Sequence, residues 1–284
     1  MSNLVYGGLA AGFWKRKPLI GMVHLGPLPG SARYDADALP LGAVLARAEE
    51  DARALAEGGA DAIMVENFFD APFAKDNVPP HTLAALTRAV LAVRAAAGPG
   101  LPLGVNCLRN DARSALAVAH ACGAQFVRIN VYVGAAVTDQ GIIEGAARTA
   151  VLYRRELGAD VAIFADVFVK HAAQLGDGSV RLEDAAKAAG RRGRADALLL
   201  SGAAPGSATD PDELRRVRAV LPDAPLLVGS GMSAQSSGAL LAYADGAIVG
   251  TSLKENGDVS APVDPARVRA LRAAMDAAAG ARGA

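Results

Sequence analysis

Residues 18–31 read PLIGMVHLGPLPGS, an apolar run fit for a buried strand that breaks at His24 into a loop of prolines and glycines. The same pattern recurs seven more times. ADAIMVEN (60–67), LPLGVNC (101–107), AQFVRINV (124–131) and DVAIFADV (160–167) are followed by ADALLLSG (195–202), APLLVGSG (224–231) and DGAIVGTS (245–252). Each segment is short and apolar, and many open with Ala-Asp or Pro, as expected of parallel strands covered on both faces.

Helical stretches separate them. LGAVLARAEEDARALAEGG (41–59) places Val44, Leu45, Ala48, Ala52 and Leu55 on one stripe and ends in Gly-Gly. The stretch 79–98 opens with Pro and closes with Gly, and 111–123 starts with an Asp able to cap. Asp210-Pro211 and Asp264-Pro265 open two further helices in the same manner. Eight strand–helix units with no linker and no shift of composition predict a single α/β domain. The count fills a (β/α)8 TIM barrel better than a doubly wound sheet. The barrel is expected over residues 18–284, with residues 1–17 as an N-terminal extension whose Phe13 and Trp14 are candidates to plug the barrel bottom. The spacings between strands 3 and 4 and between strands 7 and 8 are short, with room for helices of about three turns or a little less.

Composition bounds the partners. The chain has 284 residues, 52% of them hydrophobic, which suffices for a large core, and 29 basic residues balance 29 acidic ones. No basic field exists for a nucleic acid polymer. No run approaches the roughly twenty apolar residues that cross a bilayer, so membrane insertion is not expected. The charges near the N-terminus follow the apolar part rather than precede it, unlike a secretory signal. Cys107 and Cys122, fifteen positions apart, imply neither a disulfide framework nor a zinc cluster. The expectation is a cytoplasmic protein; a homo-oligomer is compatible with the sequence, which does not specify the oligomeric state.

In a (β/α)8 barrel the active site lies at the C-terminal ends of the strands. There the sequence delivers His24, Glu66 and Asn67, then Asn106 with Arg109 just beyond, then Arg128 and Asn130. Asp166 follows, with Lys170 and His171 after it, and then Ser201. Strand ends are in general more polar than strand middles, and a self-satisfied network of ion pairs is the competing account. Against it, Glu66, Arg128, Asp166 and Lys170 are costly to hold in a barrel mouth without a use. Catalytic candidates are Asp166, Glu66, Lys170, His24 and Asp139. Substrate-binding candidates are Asn67, Asn106, Arg109, Arg128, Asn130, His171 and Ser201. Lys170 and His171 are also readable as an acid/base couple or as solvated surface.

The last two strands end in GSGMS and GTSLK. Glycines beside hydroxyl residues let backbone N–H groups converge on an anion, and in barrels of this type that pair of loops often binds phosphate. Gly229, Ser230, Gly231, Gly250, Thr251 and Ser252 are therefore assigned to phosphate, with Lys254 a candidate counter-charge; tight turns alone are the rival account. YVGAAVTDQGIIEG (132–145) is expected to form a lid with Asp139 over the mouth, or a loop in which Thr138 or Asp139 caps a helix carrying Ile142 and Ile143. No cofactor is implied. His24, Glu66 and Asp166 are the trio on which a divalent cation would converge, but no His-x-His or His-Glu-x-x-His spacing is present and no metal site is assigned.

Taken together, GMVHLGPLPGSARY (21–34), DAIMVENFFDAPF (61–73), GVNCLRND (104–111), RINVYVGAAVTDQGIIEG (128–145), ADVFVKHA (165–172), VGSG (228–231) and VGTSLK (249–254) resemble the BtpA/SgcQ family. The likeness runs in order from Pro18 to the last helix. Cys107 stands where an aliphatic residue is expected and Gly26 where Leu is usual; the loop SGAAPGSATD (201–210) departs from the commoner Thr-Gly form. The resemblance implies a (β/α)8 barrel. It also implies two lines of function, photosystem I biogenesis and, from labels carried by some members, nucleotide hydrolysis, and it implies no settled reaction. The function expected from the residues is an enzyme acting on a small phosphorylated metabolite, a sugar or nucleotide phosphate, as an isomerase, lyase or phosphate-ester hydrolase. The alternative is a non-catalytic assembly factor.

Overall fold

The computed structural model describes Leu9 and residues 12–168, 172–175, 179–202 and 208–280. Lys170 and His171 lie outside the described residues, as does the middle of the loop 201–210. Eight parallel strands close into a barrel: β1 (Leu19–His24), β2 (Ala62–Glu66), β3 (Leu103–Asn106), β4 (Phe126–Ile129), β7 (Ala162–Asp166), β9 (Ala197–Leu200), β10 (Leu226–Val228) and β11 (Gly246–Val249), which returns to β1. Every one falls inside a segment predicted as a strand. The helices α1 (Leu41–Glu57), α2 (Pro80–Ala97), α3 (Ala112–Ala121), α4 (Ala147–Glu156), α5 (Leu182–Lys187), α6 (Pro211–Val220), α7 (Ser237–Leu240) and α8 (Pro265–Gly280) surround it. Asp111 and Asp210 cap α3 and α6 by accepting from the backbone N–H groups of Ser114 and Asp212.

Two apolar layers hold the barrel. The outward residues of the strands pack on the helices, with Val44, Leu45, Ala48, Ala52 and Leu55 of α1 all buried. The inward residues form a separate cluster that includes Ile20, Met22, Met64, Phe126, Phe164 and Leu227. Phe13 and Trp14 pack against this inner cluster, and the Trp14 ring lies 5.8 Å from Phe164. Lys17 ties the same segment to the barrel by donating from Nζ to the carbonyls of Leu241 and Ala244.

Two expectations are corrected. Ile142 and Ile143 lie on no helix. Residues Ala135–Thr138 (β5) and Gly141–Glu144 (β6) form an antiparallel hairpin, joined at its β5 edge by Ala173–Gln174 (β8), and α4 begins only at Ala147. Thr138 caps the hairpin turn, accepting from the Gln140 N–H and donating to the Gly141 carbonyl, while Gly141 takes a positive φ of 94°. Ala136 and Ile143 face inward and Val137 and Ile142 outward, the period-two alternation of a strand. The segment between β10 and β11 carries only the four-residue α7, shorter than predicted. Ser233, Ser236 and Ser237 bond neighbouring backbone groups there, competing with helix formation.

Candidate active site at the barrel mouth

Inside a barrel every second residue of a strand points inward. Counting upward in twos from the apolar interior gives Ile20, Met22, His24 on β1; Ala62, Met64, Glu66 on β2; and Phe126, Arg128, Asn130 on β4. The same step gives Ala162, Phe164, Asp166 on β7. The top of the interior is therefore polar where everything beneath it is apolar. Strand register sets the polar groups side by side, with His24 opposite Glu66, Glu66 opposite Asn106 and Asn106 opposite Arg128. Gly104 below Asn106 leaves room for the Phe126 ring, which a Cβ there would overlap.

Glu66 is buried at the centre of this layer. Its Oε1 accepts from Asn106 Nδ2 at 2.5 Å, and its Oε2 lies 3.7 Å from His24 Nε2. Burial pushes the Glu66 carboxyl above the usual carboxylate range, against the pull of Arg128, the Asn106 bond and Arg109. Burial, with Lys254 and Arg128 adding to it, drives His24 down to about 3, so the imidazole is neutral beside Glu66. Its ring lies tilted against Phe68, centroids 4.3 Å apart. A carboxyl raised toward neutrality next to a neutral imidazole suits proton transfer.

Asp166 is differently placed from the expectation that it moves protons. Arg128 grips both of its oxygens, from Nε and Nη2 at 2.9 Å each, and Asn130 Nδ2 adds a third bond at 2.9 Å. Burial lowers the Arg128 guanidinium, but Asp166 more than reverses this and holds it charged. Asp166 thus positions Arg128 and Asn130. Asn67 is likewise committed: its Oδ1 accepts from the Leu108 N–H, and its Nδ2 donates to Asp70 and the Leu108 carbonyl. It joins the β2 and β3 loops and does not line the mouth cavity. Lys254 is corrected as well, because its buried Nζ pairs with Asp51 Oδ2 of α1 at 2.5 Å.

A cavity of about 640 Å³ opens over this layer, lined by His24, Glu66, Arg109, Arg128 and Asn130 on one side. Gly229, Ser230, Gly231, Gly250, Thr251 and Ser252 line the other. Ser230 Oγ accepts from the Gly202 N–H, and Ser252 Oγ donates to the Met232 carbonyl, which fixes both loops. A Cβ on Gly229 would fall 2.4 Å from Ser201 Oγ and 3.7 Å from Arg128 Nη2, so the glycine lets this wall approach the guanidinium. Among the described residues, His24 Nδ1, Asn106 Oδ1, Asn130 Oδ1 and Ser201 Oγ are buried with no hydrogen-bond partner. Among the described residues no group of three His, Cys, Asp or Glu gathers as a metal-holding set, the trio of His24, Glu66 and Asp166 included.

Asp139 sits exposed at the hairpin tip, close enough that its charge acts on Arg109. The neighbouring Gln140 buries both amide atoms without a partner. Sequence reasoning passed over Gln140, Arg33 and the three phenylalanines Phe68, Phe69 and Phe73, of which the last four line the cavity. The signal was present in VENFFDAPF, where three aromatic residues crowd directly behind a strand end.

A family model described as BtpA family matches residues 15–277. The chain is 46% identical to the Photosystem I biogenesis protein BtpA of a Synechocystis species, over 93% of this chain and 89% of that one. It is also 46% identical to an uncharacterized protein of Thermococcus kodakarensis, over 91% and 95% of the two chains. Among solved structures it is similar to thiamine phosphate pyrophosphorylase from Pyrococcus furiosus (TM-score 0.59, 17% identity, 93% and 98% covered). A second is phosphoribosyl anthranilate isomerase from Thermus thermophilus (TM-score 0.55, 15% identity, 92% and 98% covered). At these identities the structures show a shared TIM-barrel fold.

Proposed function

The chain belongs to the BtpA family, and from that premise we propose that its barrel mouth is the active site of an enzyme acting on a small phosphorylated metabolite. The observation that carries this is the buried polar layer. Folded proteins rarely leave buried polar atoms unpartnered, yet His24 and Asn130, which line one cavity, each carry one, as do Asn106 and Ser201 in contact with the lining residues Glu66 and Gly229, and the Glu66 carboxyl has a raised pKa. The phosphate rests against the 229–231 and 250–252 loops, facing Arg128. Arg109 holds a second anionic group, and Glu66 takes or gives the proton, with Asn106 fixing its orientation. His24, being neutral, donates or accepts a hydrogen bond. Two structural neighbours are named for phosphorylated compounds, which agrees with this reading.

The test is thermal-shift and calorimetric screening with sugar phosphates and nucleotides. A ligand that binds the native state raises Tm. Glu66→Gln retains binding and loses turnover. If no phosphorylated compound shifts the melting temperature, the proposal fails.

A second reading, a non-catalytic assembly factor, is favoured by the name of the Synechocystis relative. The chain is equally identical to the Thermococcus kodakarensis protein, whose name carries no photosystem role. Full in vivo function of Glu66→Gln would support the assembly reading.

A further inference from the structure

We infer that the mouth is built for a phosphorylated compound carrying a planar, heteroaromatic ring, seated on a wall made by Phe68, Phe69 and Phe73. This rests on the phosphorylated-metabolite reading and narrows it. All three rings are half-buried and line the same cavity as Glu66 and the 229–231 loop, with the buried side chains of Leu108 and Met232 beside them. The Phe68 and Phe69 rings meet edge to face at 5.1 Å, and Phe68 lies against His24 at 4.3 Å.

The wall is held rigid. Asp70, buried behind it, accepts from the Leu28 N–H at 2.7 Å and from Asn67 Nδ2 at 3.0 Å. Burial pushes its carboxyl up, so keeping it there opposes folding, and what it secures is the loop that presents the rings. The Phe69 N–H donates to the Leu25 carbonyl and fixes the start of that loop. Aromatic side chains on a preorganised frame are suited to stacking a flat ring, at little cost in conformational freedom.

Size and chemistry agree. A cavity of about 640 Å³ is of the class that encloses drug-sized ligands. A hydroxylated sugar phosphate on its own would occupy the polar half and leave three phenylalanines facing water. A ring joined through a sugar to the phosphate covers both halves, with its polar middle over Glu66, Arg128 and Asn130.

The experiment measures Kd by calorimetry for AMP, UMP, ribose 5-phosphate and adenosine with the whole chain, its Phe73→Leu variant and its Phe69→Leu/Phe73→Leu variant. Stacking one base on one aromatic ring changes affinity by about tenfold. The expected result is AMP or UMP binding at least about tenfold tighter than ribose 5-phosphate. The leucine variants lower that ratio and leave ribose 5-phosphate affinity unchanged. If all the phosphates bind equally, the ring subsite is wrong and the phosphorylated-metabolite reading stands. A ratio that the leucine variants do not change would overturn the placement on this wall. Adenosine binding without binding of any phosphate supports the ring wall and removes the phosphate. If nothing binds, both readings fall. Should the double variant not fold, Phe73→Leu alone decides between these outcomes.

Discussion

Asp166 and Glu66 are two buried carboxyls in one layer, and the structure predicts opposite responses to amide substitution. Asp166→Asn removes the charge that Arg128 grips with two 2.9 Å bonds and leaves the buried guanidinium only the more distant Glu66 carboxyl as a charge partner. Breaking a buried ion pair from one side costs about 3–5 kcal/mol. At about 2–4 °C per kcal/mol for large domains, Tm should fall by roughly 6–20 °C. Glu66→Gln keeps an oxygen able to accept from Asn106 and removes a charge that burial disfavours, so its stability should stay within about 1 kcal/mol of wild type.

The two variants also differ in pH dependence. The folded Glu66 pKa is raised above its model-peptide value of 4.5, so between the two values the native state holds the proton more tightly. Wild type therefore loses stability as pH rises from 4.5 through the raised value, and Glu66→Gln does not. The gap should move in favour of Glu66→Gln with rising pH. Urea unfolding followed by the fluorescence of Trp14, the sole tryptophan, provides the assay. The reasoning is refuted if Asp166→Asn unfolds at the wild-type urea midpoint, if Glu66→Gln loses as much as Asp166→Asn, or if Glu66→Gln loses stability relative to wild type as pH rises.

Other perturbations follow from the same contacts. His24 is held near 3 against 6.5 in the unfolded chain, so wild type should lose stability as pH falls from 6.5 toward 3, and acid titration of His24→Gln should show a shallower slope there. Lys254→Met should destabilise, by less than the about 3–5 kcal/mol of a fully broken buried pair because Arg47 still lies 3.3 Å from Asp51, whereas Asp51→Asn/Lys254→Met, which keeps an acceptor for the Val263 N–H, should recover most of the loss in urea titration. Lys254→Met should not weaken phosphate-ligand affinity measured by calorimetry, since Lys254 does not line the cavity. Gly229→Ala should lose about 1–3 kcal/mol because its Cβ overlaps Ser201 Oγ, and adding Ser201→Ala should recover part of the melting temperature, the Leu200 carbonyl at 3.2 Å remaining tight. The buried Cys107 thiol is pushed well above its usual pKa, so Cys107→Val should leave turnover unchanged.

The barrel was legible because a strand buried on both faces announces itself as a short unbroken apolar run, and eight such runs admit few arrangements. The hairpin after β4 was not. In TDQGIIEG the pair Ile142-Ile143 fits one face of a helix start as readily as two faces of a strand, and what settles it is the Thr138–Gly141 turn and the sheet partner at Ala173–Gln174. The short α7 was hidden for a related reason. Its serines bond their own backbone neighbours, a local competition that hydrophobic spacing does not register.

Residue type identified the rim but could not divide its labour. A charged residue at a strand end either meets a ligand or meets another residue, and the two cases look identical in a sequence. Asp166, Asn67 and Lys254 turn out to be engaged with Arg128, Leu108 and Asp51. Glu66 keeps a single 2.5 Å bond, and Asn106, Asn130 and Ser201 each retain an oxygen with no partner among the described residues. The discriminating property is unmet hydrogen-bonding capacity at a buried atom, which depends on strand register and on small neighbours such as Gly229. Register is a product of barrel closure, since a one-residue slip would turn every rim side chain outward. Hence the site's membership is written two residues at a time along each strand, while its chemistry exists only once eight strands share one layer.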